Sequence, residues 1–389
     1  MSITELDKQY IAHTYNRFPV EFTHGKGSVL YGTDGKEYID LGSGIGVTSL
    51  GISPDGWINA VTEQIMKLQH TSNLYYTEPD ALLAKTLCER TGYKKVFFSN
   101  SGAEANECAI KAARKYAAQT KNSEHYTIVT LNNSFHGRTL TTLAATGQPK
   151  FHENFQPLTP GFVHATAESI YELEAITAKY KVAAFMIECI QGEGGVVPLD
   201  PEYVHELFDF AKYHDILTIV DEVQTGNGRT GKLYSYMNYG LQPDIITTAK
   251  GLAGGLPIGA TLLNEKLQDV FEYGDHGSTF GGNPVSCAAA NYVMSQITDE
   301  LMADVAKKGE IIKKELTGAP GIESVTGLGL MVGVKTTRPV SDVVKECLQN
   351  GVLCLTAAHG ILRLLPALNI PEELLIKALG VIKDVCAKQ

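Results

Sequence analysis

The chain has 389 residues, 44% hydrophobic and 20% charged, with a formal net charge of −10 at pH 7. That is the make-up of a soluble globular protein long enough for one large domain and a smaller one. Its basic residues cluster only in short pairs such as Lys94-Lys95 and Lys313-Lys314, which argues against a nucleic-acid partner, and no apolar run approaches the roughly 18 residues of a membrane span.

The start, MSITELDKQYIAHTYNR, has neither an apolar signal core nor transit-peptide character. Seven cysteines, odd in number and without CxxC spacing, read as reduced thiols. Both observations point to a cytoplasmic protein. The first 50 residues read as strands and turns, with a hairpin of Val29-Leu30-Tyr31 and Glu37–Leu41 around an Asp34-Gly35 turn. Tyr15 and Arg17 stand before it, where such residues are ordinarily surface groups. Gly42–Gly46 reads as a flexible connection into the large domain.

Amphipathic helices are expected over 55–69 and 80–90. A short strand at Lys95–Phe98 runs into Asn100-Ser101-Gly102-Ala103-Glu104, where Ser101 and Glu104 form a capping box. The helix start there is either simply capped or an anion site, and the small Gly102 and Ala103 favour a phosphate. Strand Thr127–Leu131 leads to Phe135, a core residue or an aromatic lid over a flat ligand, and to Arg138. Strand Val182–Ile187 ends in Glu188 and leads to Glu193, which is either solvated or paired with a cation in a cleft. A helix from Asp200-Pro201 follows.

Two β-branched runs then end in charge. Leu217–Val220 stops at Asp221 and Glu222, and Ile245–Ala249 stops at Lys250. Apolar strands alternating with helices imply a mostly parallel sheet covered on both faces, and charged groups at its carboxyl edge are how such a sheet presents a ligand site. Strand Pro257–Leu263 and a glycine-rich loop with Ser278 and Thr279 come next, then a helix from Val285. Beyond it the pattern becomes α+β, so a smaller second domain is expected. The chain therefore divides into a segment 1–45 packing with the small domain, a large domain 46–290 and a small domain 291–389.

A desolvated lysine forms Schiff bases, and a carboxylate at a neighbouring strand end suits a protonated pyridine nitrogen. Lys250, Asp221, the helix start at Gly102-Ala103 and an apolar sandwich of Phe135 and Val223 are together what pyridoxal phosphate requires. Singly, each has a plainer reading, and an Asp-Glu pair also suits a metal. Here the chain resembles the class III (ω-amino-acid) aminotransferases of pyridoxal-phosphate fold type I, most closely those acting on acetylornithine. The carriers are FFSNSGAEANECAIKAARKYA, NSFHGRTLTTLAATGQ, IQGEGGVVPLDPEY, IVDEVQTGNGRTGKLY, TTAKGLAGGLPIGA and HGSTFGGNP.

The resemblance implies an α/β fold, pyridoxal 5′-phosphate held by Lys250, and Asp221 on the ring nitrogen. It implies Phe135 and Val223 on the ring faces, Gln224 and the neighbouring Glu222 beside the ring, and Ser101, Gly102 and Ala103 at the phosphate. Thr279, with Ser278 beside it, would reach the site of the other subunit of a homodimer. Tyr15, Arg138 and Arg363 would contact substrate, with Glu193 a switchable partner of Arg363. No metal is implied. The reaction would be transfer of the side-chain amine of N-acetylornithine to 2-oxoglutarate, giving N-acetylglutamate semialdehyde and glutamate, a step of arginine biosynthesis. Ornithine, succinylornithine or GABA are rival donors. Tyr15 keeps ornithine open, while Ile45 stands where ornithine enzymes carry a second tyrosine. From another class, the fold could serve as a non-catalytic effector-binding domain, but no helix-turn-helix extension accompanies it. Two departures from the family pattern are Gly51-Ile52-Ser53-Pro54 in a loop near the N-terminus and Cys189 after Glu188.

Overall fold

The buried strands assemble into a single seven-stranded layer. The computed structural model describes residues 2–388, so the terminal residues Met1 and Gln389 of the expected segments lie outside it. The strands are β1 Lys95–Ser99, β2 Thr127–Leu131, β3 Phe162–Ala165, β4 Val182–Ile187, β5 Leu217–Asp221, β6 Ile245–Thr248 and β7 Gly259–Leu263. They lie in the order β1-β7-β6-β5-β4-β2-β3. Strand β7 runs antiparallel to both neighbours and the other pairings are parallel. Every residue of β2, β4, β5, β6 and β7 is buried, which requires helices on both faces.

The helix Gly102–Thr120 comes close to the sheet because its inner face is alanine: Ala105, Ala109, Ala112, Ala113 and Ala117 are all buried. Thr261 Oγ1 on β7 donates to the Ala105 carbonyl at 2.8 Å, so the start of this helix is pinned over the sheet. In the register of β5 and β6, Asp221 lies opposite Thr247. Asp221 and the residues that follow Thr248 therefore leave the sheet at the same edge.

A second sheet, Ile322–Leu328, Met331–Thr336, Ile361–Leu364 and Leu355–Ala357, is antiparallel throughout. The helices Asp299–Leu316, Val340–Gln349 and Glu372–Cys386 share a hydrophobic core with it. Arg363 is carried on its strand Ile361–Leu364. The N-terminal strands Phe22–Lys26, Val29–Gly32 and Glu37–Asp40 are antiparallel, and Glu37–Asp40 pairs in parallel with Val352–Leu353, Ile39 lying opposite Val352. The expected boundary at 290/291 falls inside the continuous helix Pro284–Gln296, whose Val293 and Met294 belong to the core of the large sheet.

Two local readings are corrected. A helix, Ile3–Tyr10, occupies the start of the chain, closed by a Ser2–Glu5 capping box and burying none of its residues. The segment 42–46, read as flexible, is a tight left-handed turn with φ of 46, 60, 65 and 75° at Ser43, Gly44, Ile45 and Gly46. Asp40 Oδ1 fixes its entry by accepting from the Gly42 and Ser43 N–H groups at 2.8 and 2.9 Å.

Candidate active site

A cavity of about 560 Å³ opens at the carboxyl edge of β5 and β6. Its walls include Ser101, Gly102 and Ala103 from the helix start and Phe135 and Arg138 from the loop after β2. Asp221, Val223, Gln224 and Lys250 come from the ends of β5 and β6, and Tyr15 from the N-terminal segment. Tyr15 is 74% exposed and forms part of the rim.

Lys250 opens a short 3₁₀ turn with a left-handed φ of 44°, a costly conformation for a side-chain-bearing residue that persists only when its surroundings impose it. They do so here. Asn227 Nδ2 donates to Thr248 Oγ1 at 3.0 Å and to the Ala249 carbonyl at 3.1 Å, and Ser49 Oγ donates to the Gly251 carbonyl at 2.9 Å. Burial pushes the Lys250 amine below the usual lysine range, against the opposing charges of Asp221 and Glu193. The amine is enclosed even though part of the residue faces the cavity.

Asp221, 4% exposed, accepts three hydrogen bonds. Its Oδ2 receives Asn106 Nδ2 and His136 Nδ1, each at 2.8 Å, and its Oδ1 receives the Val223 N–H at 2.9 Å. Asn106 is held in turn by Thr247 Oγ1, which donates to its Oδ1 at 2.7 Å, and it also donates to the His136 carbonyl at 2.8 Å. Burial alone would lower the His136 imidazole, but its hydrogen bond to Asp221 and the negative charges of Asp221 and Glu188 together outweigh this and raise it. Its Nε2 is buried without a partner among the described residues.

Asn106, His136 and Thr247 were not anticipated from the sequence. The available signal was a polar residue, Asn106, set between alanines on the buried face of a helix. Glu188, which the sequence shows only as the end of a strand, lines the cavity. It accepts from the Phe135 N–H at 3.0 Å, and burial pushes its carboxyl up to about 7.

Glu222 was expected beside the cofactor, and the structure corrects this. Successive residues of an extended strand point to opposite faces, so Asp221 faces the cavity and Glu222 faces away from it. The fully buried Glu222 carboxylate accepts from Ser235 N–H at 2.9 Å, Ser235 Oγ at 2.7 Å, Tyr236 N–H at 2.9 Å and Thr225 Oγ1 at 2.5 Å. It is the structural anchor of the 222–236 loop.

The capping box is also displaced by one residue. Ser101 Oγ accepts from the Glu104 N–H at 3.2 Å as expected, but the Glu104 carboxylate reaches back to the Asn100 N–H, at 2.5 Å, and not to Ser101. The Gly102 and Ala103 N–H groups at the cavity wall have no acceptor among the described residues. Glycine is required at 102, because a Cβ there would lie 2.5 Å from Val223 Cγ1.

Arg363, 3% exposed, pairs with Glu193 at 2.6 Å. The same Nη1 donates to Gln224 Oε1 at 3.0 Å, and Nη2 donates to the Thr356 carbonyl at 3.3 Å. Arg363 Nε is buried without a partner among the described residues. Arg363 opposes the effect of burial on Glu193 and holds its carboxyl below the usual range. The pair lies behind Gln224, not on the cavity wall itself. Ser278 and Thr279 are not brought to this cavity either. Thr279 is exposed, and Ser278 Oγ accepts from Asn100 Nδ2 at 3.1 Å and from the Gly281 N–H at 2.9 Å.

A strained lysine and a triply bonded aspartate at neighbouring strand ends, with free helix N–H groups opposite, define a site for an anionic, ring-shaped cofactor. The "Aminotransferase class-III" family model matches residues 10–386, and the chain belongs to this family, whose cofactor is pyridoxal phosphate. Over 388 residues it is 49% identical to the acetylornithine aminotransferase of Haemophilus ducreyi, covering 99% of this chain and 98% of that protein. Among solved structures it resembles the ornithine aminotransferase of Toxoplasma gondii, with a TM-score of 0.94, 32% identity and 99% and 93% of the two chains covered. It also resembles the acetylornithine aminotransferase of Elizabethkingia anophelis, with a TM-score of 0.87, 32% identity and 98% and 97% covered. Among the described residues no helix is long and apolar enough to cross a membrane.

Proposed function

We propose that this protein transfers the side-chain amine of N-acetylornithine to 2-oxoglutarate, releasing N-acetylglutamate semialdehyde and glutamate. The observation that carries the reading is the Arg363–Glu193 pair, 2.6 Å apart and bridged by Gln224. A transaminase with two dissimilar substrates must accept an uncharged or cationic group in one half-reaction and a carboxylate in the other. A buried arginine with a removable carboxylate partner meets both needs. The acetylated donor is supported by the 49% identity to an acetylornithine aminotransferase and by Ile45, which offers no hydroxyl for a free α-amine.

The residues fit pyridoxal phosphate. The unpaired Gly102 and Ala103 N–H groups, with Ser101 beside them, would take the phosphate, Asp221 the ring nitrogen, Phe135 and Val223 the ring faces, and Gln224 the ring hydroxyl. When bound, the cofactor supplies an electrophilic carbon and an electron-withdrawing ring that stabilises negative charge on the substrate carbon. Lys250 then serves as the base at that carbon, a role that needs the neutral amine its burial favours. Its backbone, fixed on both sides, keeps the amine where the proton must be taken. Arg138 and Tyr15 orient the far end of the donor.

A homodimer completes this reading. Thr279, turned away from its own cavity, would reach the phosphate of a second copy. Leu74, Tyr75, Tyr76 and Phe280, exposed around the loop that carries it, form the kind of surface a partner covers. The test is a half-reaction assay on the cofactor-loaded protein, following loss of the cofactor's visible absorbance with N-acetylornithine, ornithine, succinylornithine and GABA in parallel. N-Acetylornithine is expected to react fastest. Faster reaction with ornithine would overturn the choice of donor, and turnover by Lys250→Ala would overturn the mechanism.

A further inference from the structure

Arg138 differs from Lys250, the enclosed cation of the cavity, in being exposed at the wall. Its guanidinium makes no ion pair or hydrogen bond with any described residue. It lies instead over two aromatic rings, 4.3 Å from the Phe151 centroid and 5.5 Å from that of Phe135. We propose that Phe151 is the positioning residue that aims Arg138 into the cavity and so sets affinity for the carboxylate-bearing end of the substrate. The inference rests on the reading of Arg138 as a substrate contact.

A cation held by a ring face keeps every N–H of its fork free for a ligand, whereas a carboxylate partner would occupy them. The ring must itself be rigid to serve this purpose, and Phe151 is tied on both sides. It ends the 3₁₀ turn Pro149–Phe151, and its N–H donates to the Gln148 carbonyl at 3.0 Å. The Gln148 side chain donates to the Asn133 and Ser134 carbonyls at 3.2 and 3.1 Å, which anchors the turn to the loop that carries Phe135 and Arg138. The next residue, His152, is fixed through Nε2 to the Leu143 and Thr146 carbonyls at 2.9 and 2.8 Å.

Phe151 meets Phe135 edge to face, with centroids 5.7 Å apart and an interplanar angle of 73°. The ring that steadies Arg138 is thus in contact with the ring proposed to cover the cofactor. Lys150 Nζ lies 4.8 Å from the same Phe151 centroid, so a second positive charge adds to the attraction for an incoming dianion.

The test uses the cofactor-loaded protein with Phe151→Leu and Phe151→Tyr. Glutarate, a dicarboxylate with no carbonyl to react, is titrated calorimetrically beside steady-state kinetics. Phe151→Leu is expected to weaken glutarate binding and raise KM for the amino donor by about 2- to 5-fold, the range of a cation–π contact at an exposed site. Its kcat should stay within about twofold, and Phe151→Tyr, which keeps the ring face, should restore both values. Phe151→Met, similar in volume but without a π face, replaces the leucine variant if that one does not fold. Unchanged glutarate affinity, a fall of kcat in step with kcat/KM, or no rescue by tyrosine would overturn the proposal. Absence of turnover with N-acetylornithine in the unaltered protein would sink the functional reading alone, since the glutarate titration still decides the role of Phe151.

Discussion

Replacing Asp221 by asparagine tests whether the carboxylate is held by the network described above. The side chain accepts three hydrogen bonds, two at Oδ2 and one at Oδ1. An amide offers one oxygen and one NH₂, so wherever its oxygen points, donors are left facing an NH₂ group. With the oxygen kept toward the Val223 N–H, both Asn106 Nδ2 and His136 Nδ1 face the amide nitrogen. His136 has a way out, because its Nε2 is unpartnered and the ring proton can move there, leaving Nδ1 as an acceptor. Asn106 has none, since its Oδ1 is already engaged by Thr247. One buried donor is therefore left unpaired, at a cost of about 1–3 kcal/mol. The assay is the urea unfolding midpoint of the cofactor-free protein, which removes any contribution from ligand binding, together with the His136 tautomer by nitrogen-15 NMR. Turnover should fall by roughly 10²–10³-fold, the scale of losing one aimed electrostatic contact. An unchanged midpoint and full turnover would refute both the network and the role of Asp221.

Three further outcomes are expected. Gly102→Ala places a methyl 2.5 Å from Val223 Cγ1 and should weaken cofactor binding about tenfold or more by misplacing the helix start; undiminished affinity in an absorbance titration would show that the cradle lies elsewhere. Glu222→Ala strands four buried donors and should destabilise the protein by about 3 kcal/mol or more while the refolded, loaded enzyme keeps its kcat. A stable variant that cannot bind cofactor would instead restore Glu222 to the site. Glu188 carries a folded-state pKa of about 7 against an ordinary 4.5, so the folded state binds more protons than the unfolded one between those values. Its contribution to stability is therefore present at low pH and lost as pH rises through about 7. Glu188→Gln should make the fall of melting temperature across that window shallower. It should not abolish the fall, because His136 is raised too and acts in the same direction; an unaltered slope would exclude Glu188 as its source.

The strand ends were legible because burial on both faces leaves only apolar, β-branched residues, and a charge that interrupts them must lie at an edge. That logic placed Asp221 and Lys250, but it treated the adjacent carboxylates as equivalent, and strand alternation separated Glu222 from Asp221. Asn106 and His136 were not legible, since their partner lies more than 80 residues away and neither belongs to a local pattern. Helix Ile3–Tyr10 buries none of its residues and so shows no core-facing stripe; its only sign was the Ser2–Glu5 capping box. The shift of the Glu104 cap to Asn100 depends on backbone direction before the helix, which spacing does not encode. Edge strand Phe162–Ala165, only four residues long and partly exposed, was too short to announce itself.

The pairing of Ile39 with Val352 sets an order of events during synthesis. At about 5–20 residues per second, roughly 15 to 60 seconds separate the emergence of the two partners from the ribosome. Throughout that interval the strand Glu37–Asp40 of the N-terminal ribbon keeps an open edge of unpaired backbone groups, a known template for wrong association. Lys250 and Asp221 leave the ribosome within the same interval, whereas Arg363 appears only after the edge can close. The residues proposed to hold the cofactor thus emerge before the arginine proposed to bind a substrate carboxylate, and the stretch 352–363 both pairs with the ribbon and carries that arginine.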